Sequence, residues 1–181
     1  MNQFFKEIQH INSVEDAINK LKTLIDISPK LYEIINFIIE AHEGQFRKSG
    51  EPYCVHPILV ACVTASFSKD EAVIATALLH DVVEDTSYTL DFVKDKWGSD
   101  IAHMVDGLTK IVEIREHEFV TPKDATNSKI ISSALTFRKM LIASIDDARV
   151  LIVKLCDRLH NMLTLSVLPD HKQRRIAEET L

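Results

Sequence analysis

Helix punctuation constrains this chain more than any other feature. All four glycines and all five prolines stand where helices would begin, end or be interrupted, and no stretch sustains the every-second-residue alternation of a half-buried strand. The chain is therefore expected to be all-α. Ser13 followed by Asp16 resembles a capping box ahead of VEDAINKLKTLI, and Ser28-Pro29 reads as an N-cap with proline at the first helical position. In the helix that follows, Leu31, Ile34, Ile35, Ile38 and Ile39 recur at helical spacing and mark a core face. Residues 44–56 (GQFRKSGEPYCVH) form a polar loop, and Pro57 opens the next helix. Ser68 is the expected N-cap of KDEAVIATALLHDVVEDT, whose broad apolar surface marks a central helix. Shorter helices are expected from Leu90 to Trp97, stopped by Gly98, and from Asp100 toward Leu108. Residues 111–127 lose period and read as a mobile or partly ordered connection. Helices over about 129–145 and, capped by Asp146 or Asp147, from Ala148 to about Leu165 follow, with a final one from Pro169.

At 181 residues the chain is long enough for one domain with its own core. No apolar run approaches the length of a membrane span, and the N-terminus lacks the tripartite layout of a signal peptide. Cys54, Cys62 and Cys156 are an odd set without C-x-x-C spacing, which excludes a disulfide framework or a zinc knuckle and points to the cytoplasm. A net charge of −6 disfavours nucleic acid as a partner but leaves room for a phosphate substrate met by a cation and local basic residues.

Chemistry concentrates where polar residues break into apolar helices. His80 and Asp81 interrupt ALLHDVVED, and Glu84 and Asp85 follow one turn on, stacking a second carboxylate beneath each of the first pair. Three carboxylates and an imidazole in one patch repel unless a cation neutralises them, and mixed N/O ligation suits Mn²⁺, Fe²⁺ or Zn²⁺. A solvated last turn beside a satisfied core histidine accounts for the same residues at about even odds. A second interruption, CDRLHN, puts Asp157, Asn161 and Thr164 on one stripe that faces either a cavity or solvent. His56 carries little weight alone.

Taken together, His56, His80, Asp81 and Asp157 follow the H…HD…D order of HD-type metal-dependent phosphohydrolases. AHEGQFRKSGEPYCVHP, ALLHDVVEDT, VDGLTKI, FRKMLIA and RVLIVKLCDRLHNMLTL resemble, in order and spacing, the hydrolase domain of the RelA/SpoT-homologue family, from about Ala41 to Leu181. The resemblance implies an HD-domain helical bundle of roughly eight to ten helices and a (p)ppGpp 3′-pyrophosphohydrolase. It implies Mn²⁺ on His56, His80, Asp81 and Asp157, and Glu84 and Asp85 as the catalytic pair that orients or deprotonates the attacking water. The guanosine alarmone would be bound by Arg47, Lys48, Ser49, Asn161, Thr164 and Leu168. Without the resemblance, Arg47 and Lys48 read as an exposed basic turn. The closing KQRRIAEETL is similar to the family's connector toward a synthetase domain. The 181 residues are thus expected to be a single hydrolase domain whose longer parent carries covalently linked synthetase and regulatory domains. Two alternatives are an HD-type phosphohydrolase of another nucleotide and a catalytically silent nucleotide-sensing domain. The family pattern is departed from at Cys156, often alanine, at Leu163, often arginine, and at 134–136, often AEN; none is a proposed ligand.

Overall fold

The computed structural model describes residues 2–117, 147–165 and 173–174. The expected helices over 129–145 and from Pro169, apart from helical residues 173–174, lie outside them, as does Leu168. The described elements are all helical: α1 (Asn2–Gln9), α2 (Val14–Lys22), α3 (Pro29–Ala41), α4 (Val55–Phe67), α5 (Glu71–Leu79), α6 (Val82–Asp85), α7 (Leu90–Trp97), α8 (Ser99–His117) and α9 (Ala148–Leu163). Among the described residues an isolated antiparallel bridge joins Phe46 to Pro52.

Side-chain caps set most helix starts. Ser13 accepts from the Asp16 amide, Ser28 from Leu31, Thr89 from Phe92 and Asp147 from Arg149, each satisfying an amide that has no partner inside its helix. Helix α5 starts later than expected. The Ser68 hydroxyl accepts from the Asp70 amide, and Asp70 in turn caps Ala72, which makes Asp70 the N-cap. Helix α4 begins at Val55 rather than Pro57, so the proline lies in the first turn, where its missing N–H leaves no bond unmade.

Three departures are larger. The N-terminal residues form α1, which is anchored by the buried Ile8 and had too few apolar positions to stand out. Residues 111–117, expected in a mobile or partly ordered connection, continue α8 to His117. Gly107 therefore lies inside a helix rather than at an end. A Cβ there would sit 3.0 Å from a Val150 methyl, so glycine lets α8 and α9 approach closely.

Helices α4 and α5 are buried almost all round and form the centre. Helices α2, α5 and α9 pack on α4, while α3, α8 and α9 pack on α5. The three cysteines are buried and unpaired. No helix among the described residues is long and apolar enough to cross a membrane.

Candidate active site

The expected single helix through HDVVED is interrupted. Helix α5 ends at Leu79 and α6 starts at Val82, with His80 and Asp81 as right-handed turn residues between them. The cause is local: the His80 ring bonds the Ala77 carbonyl at 2.8 Å through Nδ1, which occupies the acceptor that the Asp81 amide would use in a continuing helix. The Asp85 amide still bonds the Asp81 carbonyl at 2.8 Å, which preserves the stacking of those two carboxylates.

The Nδ1 contact also fixes the chemistry of His80. A carbonyl only accepts, so Nδ1 carries the proton, and in a neutral ring Nε2 presents a lone pair. That nitrogen is buried, has no hydrogen-bond donor, and faces Asp81 Oδ1 at 3.0 Å and Asp157 Oδ1 at 3.7 Å. His56 Nε2 faces Asp157 Oδ1 at 3.3 Å and Asp81 Oδ2 at 3.6 Å. Lone pairs and carboxylate oxygens this close repel unless a proton or a cation lies between them. Burial lowers the pKa of His80, yet Asp81 and Asp157 outweigh it and push the imidazole up to about 9. For Asp81 burial acts upward, but His80 and His56 hold the carboxyl well below the usual range.

His56, His80 and Asp157, all buried, offer ligand atoms within 4.8 Å of one another, with Asp81 against both imidazoles. This donor set fits a divalent cation. Further contacts orient it. His56 Nδ1 lies 2.9 Å from His160 Nδ1; a His56 that ligates through Nε2 donates its Nδ1 proton to His160. Burial, more than Asp157 can offset, keeps His56 below its ordinary pKa, and burial followed by the His56 and Arg47 charges keeps His160 well below. Lys154 Nζ is 3.3 Å from Asp157 Oδ2.

Residues 45–53 form a tight hairpin closed by Arg47 N to Glu51 O at 2.9 Å and Tyr53 N to Gln45 O at 3.0 Å. Gly50 turns it with a φ of 97°, left-handed backbone that favours glycine. Arg47 reaches α9, where Nη2 donates to Asn161 Oδ1 at 2.9 Å, and Asn161 Nδ2 donates to Asp157 Oδ1 at 2.7 Å. Lys48 and Ser49 are exposed at the turn. Thr164 caps the C-terminus of α9, its hydroxyl donating to the His160 and Asn161 carbonyls. Glu84 is open to solvent on α6, yet protein crowds one side of it. That burial pushes its carboxyl up to about 7 against the pull of Lys154, and Asp81 and Asp85 add to the rise.

The structure thus gathers His56, His80, Asp81 and Asp157 from α4, the α5–α6 turn and α9, and sets Asp85, Arg47 and Asn161 in bonded contact with that group or one residue away. His42, Gln45, Tyr53, Lys154 and His160 belong to the same cluster but were not among the expected site residues. Tyr53, Lys154 and His160 each lie three positions from an expected ligand, and that spacing was their available signal.

The family model described as the HD domain matches residues 35–181. The chain is 45% identical over 157 residues to a GTP pyrophosphokinase of Myxococcus xanthus, covering 87% of this chain and 19% of that protein. It is 46% identical over 142 residues to a guanosine-3′,5′-bis(diphosphate) 3′-pyrophosphohydrolase of Haemophilus influenzae, covering 78% of this chain and 20% of that protein. It therefore spans about a fifth of the length of these curated relatives. A solved structure of a metazoan ortholog of SpoT that hydrolyzes ppGpp superposes with a TM-score of 0.63 at 23% identity, covering 86% of this chain and 85% of that one; this likeness shows the fold.

Proposed function

Because the chain belongs to the HD-domain family, in its RelA/SpoT-homologue branch, we propose that it is a Mn²⁺-dependent hydrolase that removes the 3′-pyrophosphate of (p)ppGpp. One observation carries this reading: the bonded run Arg47–Asn161–Asp157 joins a cationic, planar side chain suited to a purine to a carboxylate of the candidate metal centre. A nucleoside bound at Arg47 would thereby bring its phosphates to the cluster of histidines and carboxylates.

His56, His80, Asp81 and Asp157 would hold the manganese. When bound, the cation supplies positive charge against phosphate oxygens and lowers the pKa of a nearby water. The chain's own residues do the rest. Glu84, with its carboxyl near neutrality, is suited to take the proton of the attacking water, and Asp85 is held by Tyr53 to orient that water. The water oxygen bonds to the phosphorus next to the 3′ oxygen, the bond from that phosphorus to the 3′ oxygen breaks, the 3′ oxygen takes up the proton held by Glu84, and pyrophosphate leaves. GDP or GTP remains, with its 3′ hydroxyl restored. Arg47 stacks on the base, Lys48 and Ser49 at the hairpin tip meet phosphate, and Asn161 and Thr164 bound the sugar side. The longer parent would carry synthetase and regulatory domains beyond this unit.

The test is pyrophosphate release by the purified chain with Mn²⁺ against a panel of ppGpp, pppGpp, GTP, ATP and dGTP. Release confined to the two alarmones supports the reading. Turnover of ordinary nucleoside triphosphates would make it an HD phosphohydrolase of another substrate, and tight ppGpp binding without turnover would make it a sensor.

A further inference from the structure

One residue links the recognition hairpin to the acidic centre from a position that no assigned role covers. The Tyr53 hydroxyl lies 2.6 Å from Asp85 Oδ2 and 2.9 Å from Asp81 Oδ2, between a proposed metal ligand and a proposed catalytic carboxylate. The phenol has one proton to donate, yet it stands in contact with both acids and spaces them. Its ring stacks on buried His42, centroids 4.8 Å apart and planes at 27°. His42 is held by Gln45 at 2.8 Å, and Gln45 donates to the Asp85 carbonyl at 3.0 Å. The Tyr53 amide closes the circuit on the Gln45 carbonyl. The hairpin that presents Arg47 at one edge therefore fixes Asp85 twice at its base, by side chain and by backbone. Burial, followed by the charge of Asp81, keeps the phenol protonated and a donor across the physiological range.

We propose that Tyr53 is a positioning residue that sets the spacing of Asp81 and Asp85 and so aligns the metal ligand with the carboxylate that orients the attacking water. Its metal half stands on the geometry alone, and its catalytic half rests on the hydrolase reading above. The Tyr53 hydroxyl bonds Asp81 and Asp85, the side chains assigned to the metal and to the attacking water, so its loss acts on the metal and on turnover rather than on substrate affinity.

The test is Tyr53→Phe in the full chain, which keeps the ring and its stack on His42 and removes only the hydroxyl. Mn²⁺ affinity, followed by electron paramagnetic resonance without substrate, should weaken about tenfold, in the range for loss of a group that orients a metal ligand. At saturating Mn²⁺, kcat should fall about ten- to hundredfold while KM moves less than about threefold. In an Asp85→Asn background, the same change should cost kcat much less than it does in the parent, since its effect passes through Asp85. Parental Mn²⁺ affinity and kcat would overturn the assignment, as would a rise in KM alone or full additivity with Asp85→Asn. If the parent chain itself releases no pyrophosphate, the hydrolase reading fails and the Mn²⁺ titration alone decides the role of Tyr53.

Discussion

Asn161→Ala is the substitution that most sharply separates a nucleotide-binding wall from a solvated helix face. Asn161 accepts from Arg47 at 2.9 Å and donates to Asp157 at 2.7 Å, and both partners are charged groups. Bonds to charged groups contribute about 1.5–3 kcal/mol each when buried. Asn161 is only half-buried, so water recovers part of both. A net loss of about 2 kcal/mol in transition-state binding follows, a factor of about 30 in kcat/KM. Because, among the described residues, the Arg47 guanidinium then keeps Glu51 alone, 3.9 Å away, most of the loss should appear as a raised KM. Steady-state pyrophosphate release from ppGpp at saturating Mn²⁺ measures it, with Mn²⁺ affinity as a control expected to fall by less than about tenfold. A kcat/KM within about threefold of the parent, or a loss confined to kcat, would refute the placement of the base against Arg47.

His160→Phe keeps the ring volume but removes the partner of His56 Nδ1; Mn²⁺ affinity should drop about ten- to hundredfold in a metal titration, with the helical circular dichroism signal unchanged. Glu84, raised to about 7, must be ionised to accept a proton, so log kcat should fall as pH drops through about 7, and Glu84→Gln should abolish that limb along with turnover. The same raised carboxyl makes the metal-free fold lose stability as pH rises from its ordinary 4.5 toward 7, since the folded state binds more protons there; Glu84→Gln should flatten that slope in denaturant titrations. Gly107→Leu places a side chain against Val150 and should cost about 1–3 kcal/mol in urea unfolding, whereas a fold indifferent to it would contradict the close approach of α8 and α9.

Local chemistry was readable wherever one or two neighbouring residues decide the outcome. Ser13, Ser28, Gly98 and Asp147 mark helix ends because each satisfies or stops its own turn. Ser68 misled because Asp70, two residues on, competes for the same role, and Gly107 misled because glycine also serves close packing. The break at His80 depends on a ring bonding its own backbone, which spacing does not encode. The crowding at His80 and Asp81 was readable because a buried charge in an apolar helix demands a reason, whereas His56 joined the candidate set only through the family resemblance. The contacts that hold the site residues were not readable, since His56 meets His160 across 104 residues and Arg47 meets Asn161 across 114. Such contacts exist only once α4, α9 and the hairpin have packed.

The most direct test is a phosphorus-31 NMR time course of the purified chain with ppGpp and Mn²⁺, run beside Asp81→Ala and a chelated sample. One pyrophosphate should appear for each GDP formed, with neither product in the two controls. Inorganic phosphate in place of pyrophosphate, or equal turnover by Asp81→Ala, would contradict hydrolysis at the centre built from His56, His80, Asp81 and Asp157.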